Sequence, residues 1–212
     1  AVQEKGVLVA AHRGVASGNI PCNTLAAFEA ALRQGADILE TDVILSDEGE
    51  MYIFHTKQEP NHLNKAIRLE RMGREEVLSQ RFVNVDNDET PYGVVTLDGF
   101  LETFKNRGLI NLDHAWDFIP EVTAAIRRHG MEDQILLKTP AKLTFYQMME
   151  SVAPDMMFMP IFKERDNDTA LLESMDLNYV AAELVFATED SPLCSEEYIR
   201  SHHEKGRALW VN

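Results

Sequence analysis

Short apolar runs alternate with amphipathic stretches along nearly the whole chain. The runs lie at 7–12 ("VLVAAH"), 38–45 ("ILETDVIL"), 51–55 ("MYIFH"), 109–113, 134–138, 156–162, 179–186 and 208–212. Their length and their β-branched and aromatic content predict strands. The stretches 24–34, 96–106, 119–129, 142–152, 168–175 and 195–204 separate them and carry apolar residues at helical spacing. In the first of these, Leu25, Phe28 and Leu32 fall on one face, as in a helix packed on a sheet. Asn23-Thr24 supplies its cap and Gly35 its stop. "SDEG" at 46–49 is a turn signal, so the second and third runs form a hairpin or one bent strand. Alternating strand–helix units of this length predict a parallel sheet, and their regularity favours a TIM (β/α)8 barrel in one domain spanning 1–212. No G-x-G-x-x-G follows the first strand, which argues against a dinucleotide-binding sheet.

Residues 56–95 break the rhythm. They are polar and charged, and they read as an insertion with one short helix near 74–80, lying as a lid over the barrel mouth. The last run, "ALWVN", is only the seventh barrel strand once the hairpin is counted as the second. Either the chain lacks the last βα unit or the barrel is left open with exposed edge strands, and the expectation is the former, by truncation or a disordered tail. The methionine run "MMFMP" at 156–160 reads as a buried strand.

Composition narrows the partners. The chain has 212 residues and a formal net charge of −15, with a pI near 4.8. That acidity argues against nucleic acid and against anionic membranes, since both demand a basic face. A small phosphate-bearing substrate stays compatible, because a bound cation reverses the local field. No apolar run is long enough to span a bilayer. Two cysteines, Cys22 and Cys194, make neither a zinc spacing nor a disulfide framework, which points to a reducing, cytoplasmic setting.

The chemistry gathers at strand ends. In the second run Glu40 and Asp42 share a face with Ile38 and Ile44. Two carboxylates aimed into a barrel repel each other unless a cation sits between them. Asn111 and Asp113 share a face of the 109–113 strand, and Leu136 and Lys138 share one of the next. His12 and Arg13 end the first strand, and His55 ends the third. Three carboxylates with room for water describe a Mg²⁺ or Ca²⁺ site rather than zinc. A hard cation beside two histidines describes metal-assisted phosphoryl chemistry with a general acid and base.

"AHRG", then "P-x-N-T-LAAFEAALRQGAD-x-x-E-x-D", then a histidine closing the next strand resembles the glycerophosphodiester phosphodiesterase family. The resemblance extends more loosely through "GVVTLDGFLE" (93–102) to "KGRALWVN". It implies a TIM barrel with a small insertion, and divalent-metal-dependent cleavage of glycerophosphodiesters to glycerol 3-phosphate and an alcohol. By the family pattern Glu40, Asp42 and Asp113 are metal ligands, His12 and His55 the acid/base pair, and Arg13 a phosphate contact. The resemblance also implies that the glycerol's own 2-hydroxyl attacks, through a cyclic phosphate. Three positions depart from the pattern: Cys22 stands in "PCNT" for a glutamate, Thr56 for an aspartate, and Ala115 for a lysine. Lys138 is then the candidate for the missing positive charge.

Other residues are weaker candidates. Trp116 reads as a wall for the alcohol or as ordinary core packing, Glu183 as lining the barrel, and Trp210 as its floor. His62, His114, His129, His202 and His203 read as surface residues, with the strand parity of His114 turning it away from Asp113. Two further functions fit the same residues. One is a related phosphodiester lyase acting on another headgroup; the other is a catalytically impaired, phosphate-binding barrel.

Overall fold

The computed structural model describes residues 6–211. Seven parallel strands run in the order β1 (Ala10–His12), β2 (Ile38–Leu45), β6 (Leu109–Asp113), β7 (Ile135–Pro140), β8 (Met157–Lys163), β9 (Ala181–Val185) and β10 (Ala208–Val211). β3 (Met51–Ile53) pairs antiparallel with β2, making the hairpin expected from "SDEG". The strand order follows the chain, as in a TIM barrel. Among the described residues, β1 and β10 are not paired with each other, and the sheet is open between them.

Helices return the chain between strands: α1 (Leu25–Arg33), α4 (Leu97–Phe104), α5 (Ile119–His129), α6 (Leu143–Val152), α7 (Thr169–Glu173) and α8 (Glu196–His203). The ends of each fall within two residues of the amphipathic stretch that predicts it. Thr24 caps α1 by accepting the Ala27 N–H. The apolar faces meet the sheet in one core. In it Phe28, wholly buried on α1, packs edge-on against Phe100 and Phe104 of α4 with centroids 5.0 and 5.9 Å away. No helix among the described residues is long and apolar enough to cross a membrane.

β1 is shorter than the predicted 7–12 strand. Among the described residues it has a neighbour on one side only, and that neighbour begins at Ile38, opposite Ala10. Val7 and Val9 consequently stand exposed.

The 56–95 segment contains α2 (Glu59–His62), α3 (Arg74–Ser79) and a two-stranded sheet of β4 (Arg81–Val83) and β5 (Glu89–Gly93). The helix expected near 74–80 is α3; α2 and the β4–β5 pair were not foreseen. The segment builds a second apolar cluster, with Leu63, Leu69, Val77 and Phe82 packed on Tyr52 and Phe54.

One glycine fixes how the first strand hands over to α1. Gly14 has φ +78°, and a Cβ there would lie 2.6 Å from the backbone carbon of Ala27. Gly14→Ala should therefore cost about 1–3 kcal/mol, read as a lowered urea midpoint. An unchanged midpoint would show that the loop can relax without the close approach.

Candidate active site at the strand ends

β2 is buried along almost its whole length, so the Glu40 and Asp42 side chains cannot reach solvent; the residues are 2% and 0% exposed. Register carries the site across the sheet: His12 lies beside Glu40, and Asp42 beside Asp113. Lys138, two strands along on β7, reaches into this group. Its ammonium is 2.9 Å from Asp113, 3.0 Å from Glu183 and 3.7 Å from Glu40. The ring of Trp210 lies below it, with the nitrogen 5.9 Å from the centroid.

Asp42 is held from the other side. Arg13 Nε lies 2.9 Å from its Oδ2, and Asn23 Nδ2 donates to the same oxygen at 2.8 Å. Asn23 in turn accepts from the Thr41 hydroxyl. The Oδ1 of Asp42 is buried and has no hydrogen-bond partner. Arg13 follows β1 with φ +59°, and its amide donates to both the backbone and the side chain of Glu40. The left-handed turn costs on the order of 1 kcal/mol and swings the guanidinium back over the strand ends.

Four carboxylates here face two fixed cations, Arg13 and Lys138. Burial meets the imbalance by raising Glu40 to about 8, against the pull of Lys138. Burial also opposes ionisation of Asp113, but Lys138 outweighs it and holds that carboxyl below its usual value. Lys138 itself loses to burial and gains more from Asp113, Glu183 and Glu40, so its pKa is raised. The ligand atoms of Glu40, Asp42 and Asp113 all lie within 4.8 Å of one another. The orphaned Asp42 oxygen and this all-oxygen donor set fit a hard divalent cation.

The histidines stand on the open side. The His12 side chain is 58% exposed, with Nε2 4.0 Å from Glu40; burial and then Arg13 lower its pKa. His55 Nδ1 lies 2.8 Å from the Thr56 carbonyl. In the neutral ring that contact places the proton on Nδ1 and leaves Nε2 as the acceptor. Thr56 donates to Glu70 at 2.7 Å, so the residue in place of the expected aspartate ties the start of the 56–95 segment to its middle.

All ten candidate residues from the sequence are placed. His12, Arg13, Glu40, Asp42, His55, Asp113, Lys138 and Glu183 gather at the strand ends, and Trp116 and Trp210 flank them. Four of the histidines read as surface residues are partly or wholly buried. His114 is half-buried, with its ring 4.6 Å from His55 and 4.7 Å from Trp116. Strand parity failed there because β6 stops at Asp113 and His114 turns left-handed, φ +57°. His62 is half-buried against Phe54 and Cys22, with Sγ 3.9 Å from Nε2. His202 is 2% exposed and bonded to Tyr179, and the partly buried His129 meets Asp98 at 2.7 Å. Only the β6 end carried a readable signal, the acidic residue directly before His114.

Comparison with known proteins decides the family. The model of the glycerophosphoryl diester phosphodiesterase family matches residues 12–211. The chain belongs to this family. YqiK, an uncharacterized protein of Bacillus subtilis, is 30% identical over 141 residues, covering 61% of this chain and 56% of that protein. The glycerophosphodiester phosphodiesterase of Caldanaerobacter subterraneus is 50% identical over 48 residues, only 19% of its length. Among solved structures, the glycerophosphodiester phosphodiesterase of Agrobacterium tumefaciens superposes with a TM-score of 0.75 at 23% identity, covering 97% of this chain and 84% of that one. That of Thermotoga maritima gives 0.70 at 18%, covering 97% and 85%. The likeness confirms the TIM-barrel fold of the family.

Replacing Lys138 by methionine would leave Glu40, Asp113 and Glu183 buried without their shared cation. Lys138→Met should cost about 3–5 kcal/mol in urea unfolding, partly restored by millimolar Mg²⁺. Wild-type stability in that variant would mean that the ammonium does not hold the cluster together.

Proposed function

We propose that the protein is a glycerophosphodiester phosphodiesterase that releases glycerol 3-phosphate and an alcohol with the help of a divalent cation. Glu40, Asp42 and Asp113 would hold the cation, Mg²⁺ or Ca²⁺. What carries this reading is their convergence around a buried Asp42 oxygen that has no other partner. The bound cation would offset the negative charge that builds on the phosphate.

The chain's own groups supply the rest. Arg13, oriented by Asp42, faces the phosphate as a second positive charge. His55 acts as the general base, because the Thr56 carbonyl accepts a hydrogen bond from its Nδ1–H and leaves Nε2 able to take the proton of the attacking hydroxyl. His12 gives a proton to the departing alcohol. Its exposure suits a leaving group that faces solvent. Attack by the glycerol 2-hydroxyl would yield a cyclic phosphate that water then opens. Trp116 offers an apolar face to the alcohol, while Glu183 and Trp210 keep Lys138 in place below. Residues 56–95 serve as a wall over the mouth.

The three departures do not dismantle this arrangement. Ala115 is buried, and the ammonium missing there is supplied by Lys138 at 2.9 Å from Asp113. Thr56 still presents its carbonyl to His55. Cys22 packs on His62, and burial raises its thiol pKa, so it carries no charge to compete with Asp42 for Arg13.

Hydrolysis of glycerophosphocholine should require Mg²⁺ or Ca²⁺ and stop with EDTA. His12→Ala and His55→Ala should each lower turnover about 10²–10⁴-fold with an unchanged circular dichroism spectrum. Turnover of either variant at the wild-type rate would remove that histidine from the chemistry, and full activity in EDTA would remove the cation.

A further inference from the structure

A second donor set shares Asp42. Ligand atoms of Asp42, His55 and His114 all lie within 4.8 Å of one another, apart from the all-oxygen triad. We propose that these three residues form a nitrogen-rich cation position that takes a transition ion such as Zn²⁺ and, when filled, withdraws His55 from acid–base work.

Donor chemistry separates the two positions. Carboxylate oxygens suit Mg²⁺ and Ca²⁺, whereas two imidazoles and one carboxylate suit Zn²⁺ or Co²⁺, with water as the fourth ligand. His55 is already set as a donor, since its Nδ1 contact with the Thr56 carbonyl leaves Nε2 with its lone pair. A backbone carbonyl on the far nitrogen is the usual arrangement behind a metal-bound histidine. Asp42 is wholly buried, and its Oδ1 lacks a partner. His114 is brought over by the left-handed turn after β6 and lies edge-on to His55. Ligand atoms on a tetrahedral ion stand roughly 3.3 Å apart, so side-chain rotations would have to close a gap of no more than about 1.5 Å.

The two positions are linked through charge and through a shared ligand. Lys138 already neutralises much of Glu40, Asp113 and Glu183. The four carboxylates and two fixed cations leave a surplus that one divalent ion balances, so a second ion at Asp42 competes with the first. Zinc should therefore inhibit, and do so less as Mg²⁺ rises. The inhibition rests on the reading of His55 under Proposed function; the binding does not.

The test uses the whole chain and needs no substrate for its first arm. Co²⁺ added to the metal-free protein should give visible d–d absorption of a four-coordinate ion. His114→Asn, which keeps a residue at home in the left-handed conformation, should weaken Co²⁺ binding at least about tenfold, with Mg²⁺ binding unchanged. X-ray absorption of the wild-type zinc complex, which needs no variant, should show two imidazoles. In the second arm, half-inhibition of Mg²⁺-supported glycerophosphocholine hydrolysis should need at least tenfold more Zn²⁺ in His114→Asn, with the zinc-free rate unaltered. Equal Co²⁺ affinity in the variant, or an oxygen-only zinc shell, would overturn the proposal. Absence of hydrolysis with intact Co²⁺ binding would instead overturn the phosphodiesterase reading and leave this site standing.

Discussion

The ammonium of Lys138 is the interaction on which the site depends. It enters a buried pocket between Glu40, Asp113 and Glu183, drawn from three different strands, and without it those carboxylates would not tolerate one another in a medium of low dielectric. Its position also explains the rest of the electrostatics. Asp113 stays ionised because the ammonium touches it, whereas Glu40, at greater distance and deeper burial, is pushed up to about 8. The cluster is thus poised with more negative than positive charge.

Backbone geometry converts that surplus into a site. Parallel register places His12 next to Glu40, and Asp42 next to Asp113, so residues far apart in sequence become neighbours at one end of the sheet. Two left-handed residues, Arg13 and His114, directly follow strands and turn their side chains back over that end. Regular strand structure would have pointed them elsewhere. The close pass of Gly14 over Ala27 lets the first of these turns sit tightly on α1.

The sequence made the periodic parts of this legible. The helices and the β2–β3 hairpin follow from apolar spacing and from "SDEG", and the inward carboxylates of β2 follow from side-chain alternation in a strand buried on both faces. Alternation also located Lys138, although nothing in the sequence could show that it bridges three carboxylates. His114 was missed because parity holds only while the strand lasts, and a single left-handed residue cancels it. His202 and His62 were missed because each is buried by tertiary partners, Tyr179 for one and Phe54 with Cys22 for the other, that lie far off in sequence. β1 came out short for the same kind of reason: a strand's length is set by its neighbour's as much as by its own composition.

In the function proposed above, this buried surplus of carboxylate holds a cation. Crystals soaked in Mn²⁺ and measured at the manganese edge test it most directly. The expected result is an anomalous peak coordinated by Glu40, Asp42 and Asp113, with Lys138 turned toward Glu183. Crystals that diffract well yet show no peak among those three side chains at saturating Mn²⁺ would contradict it.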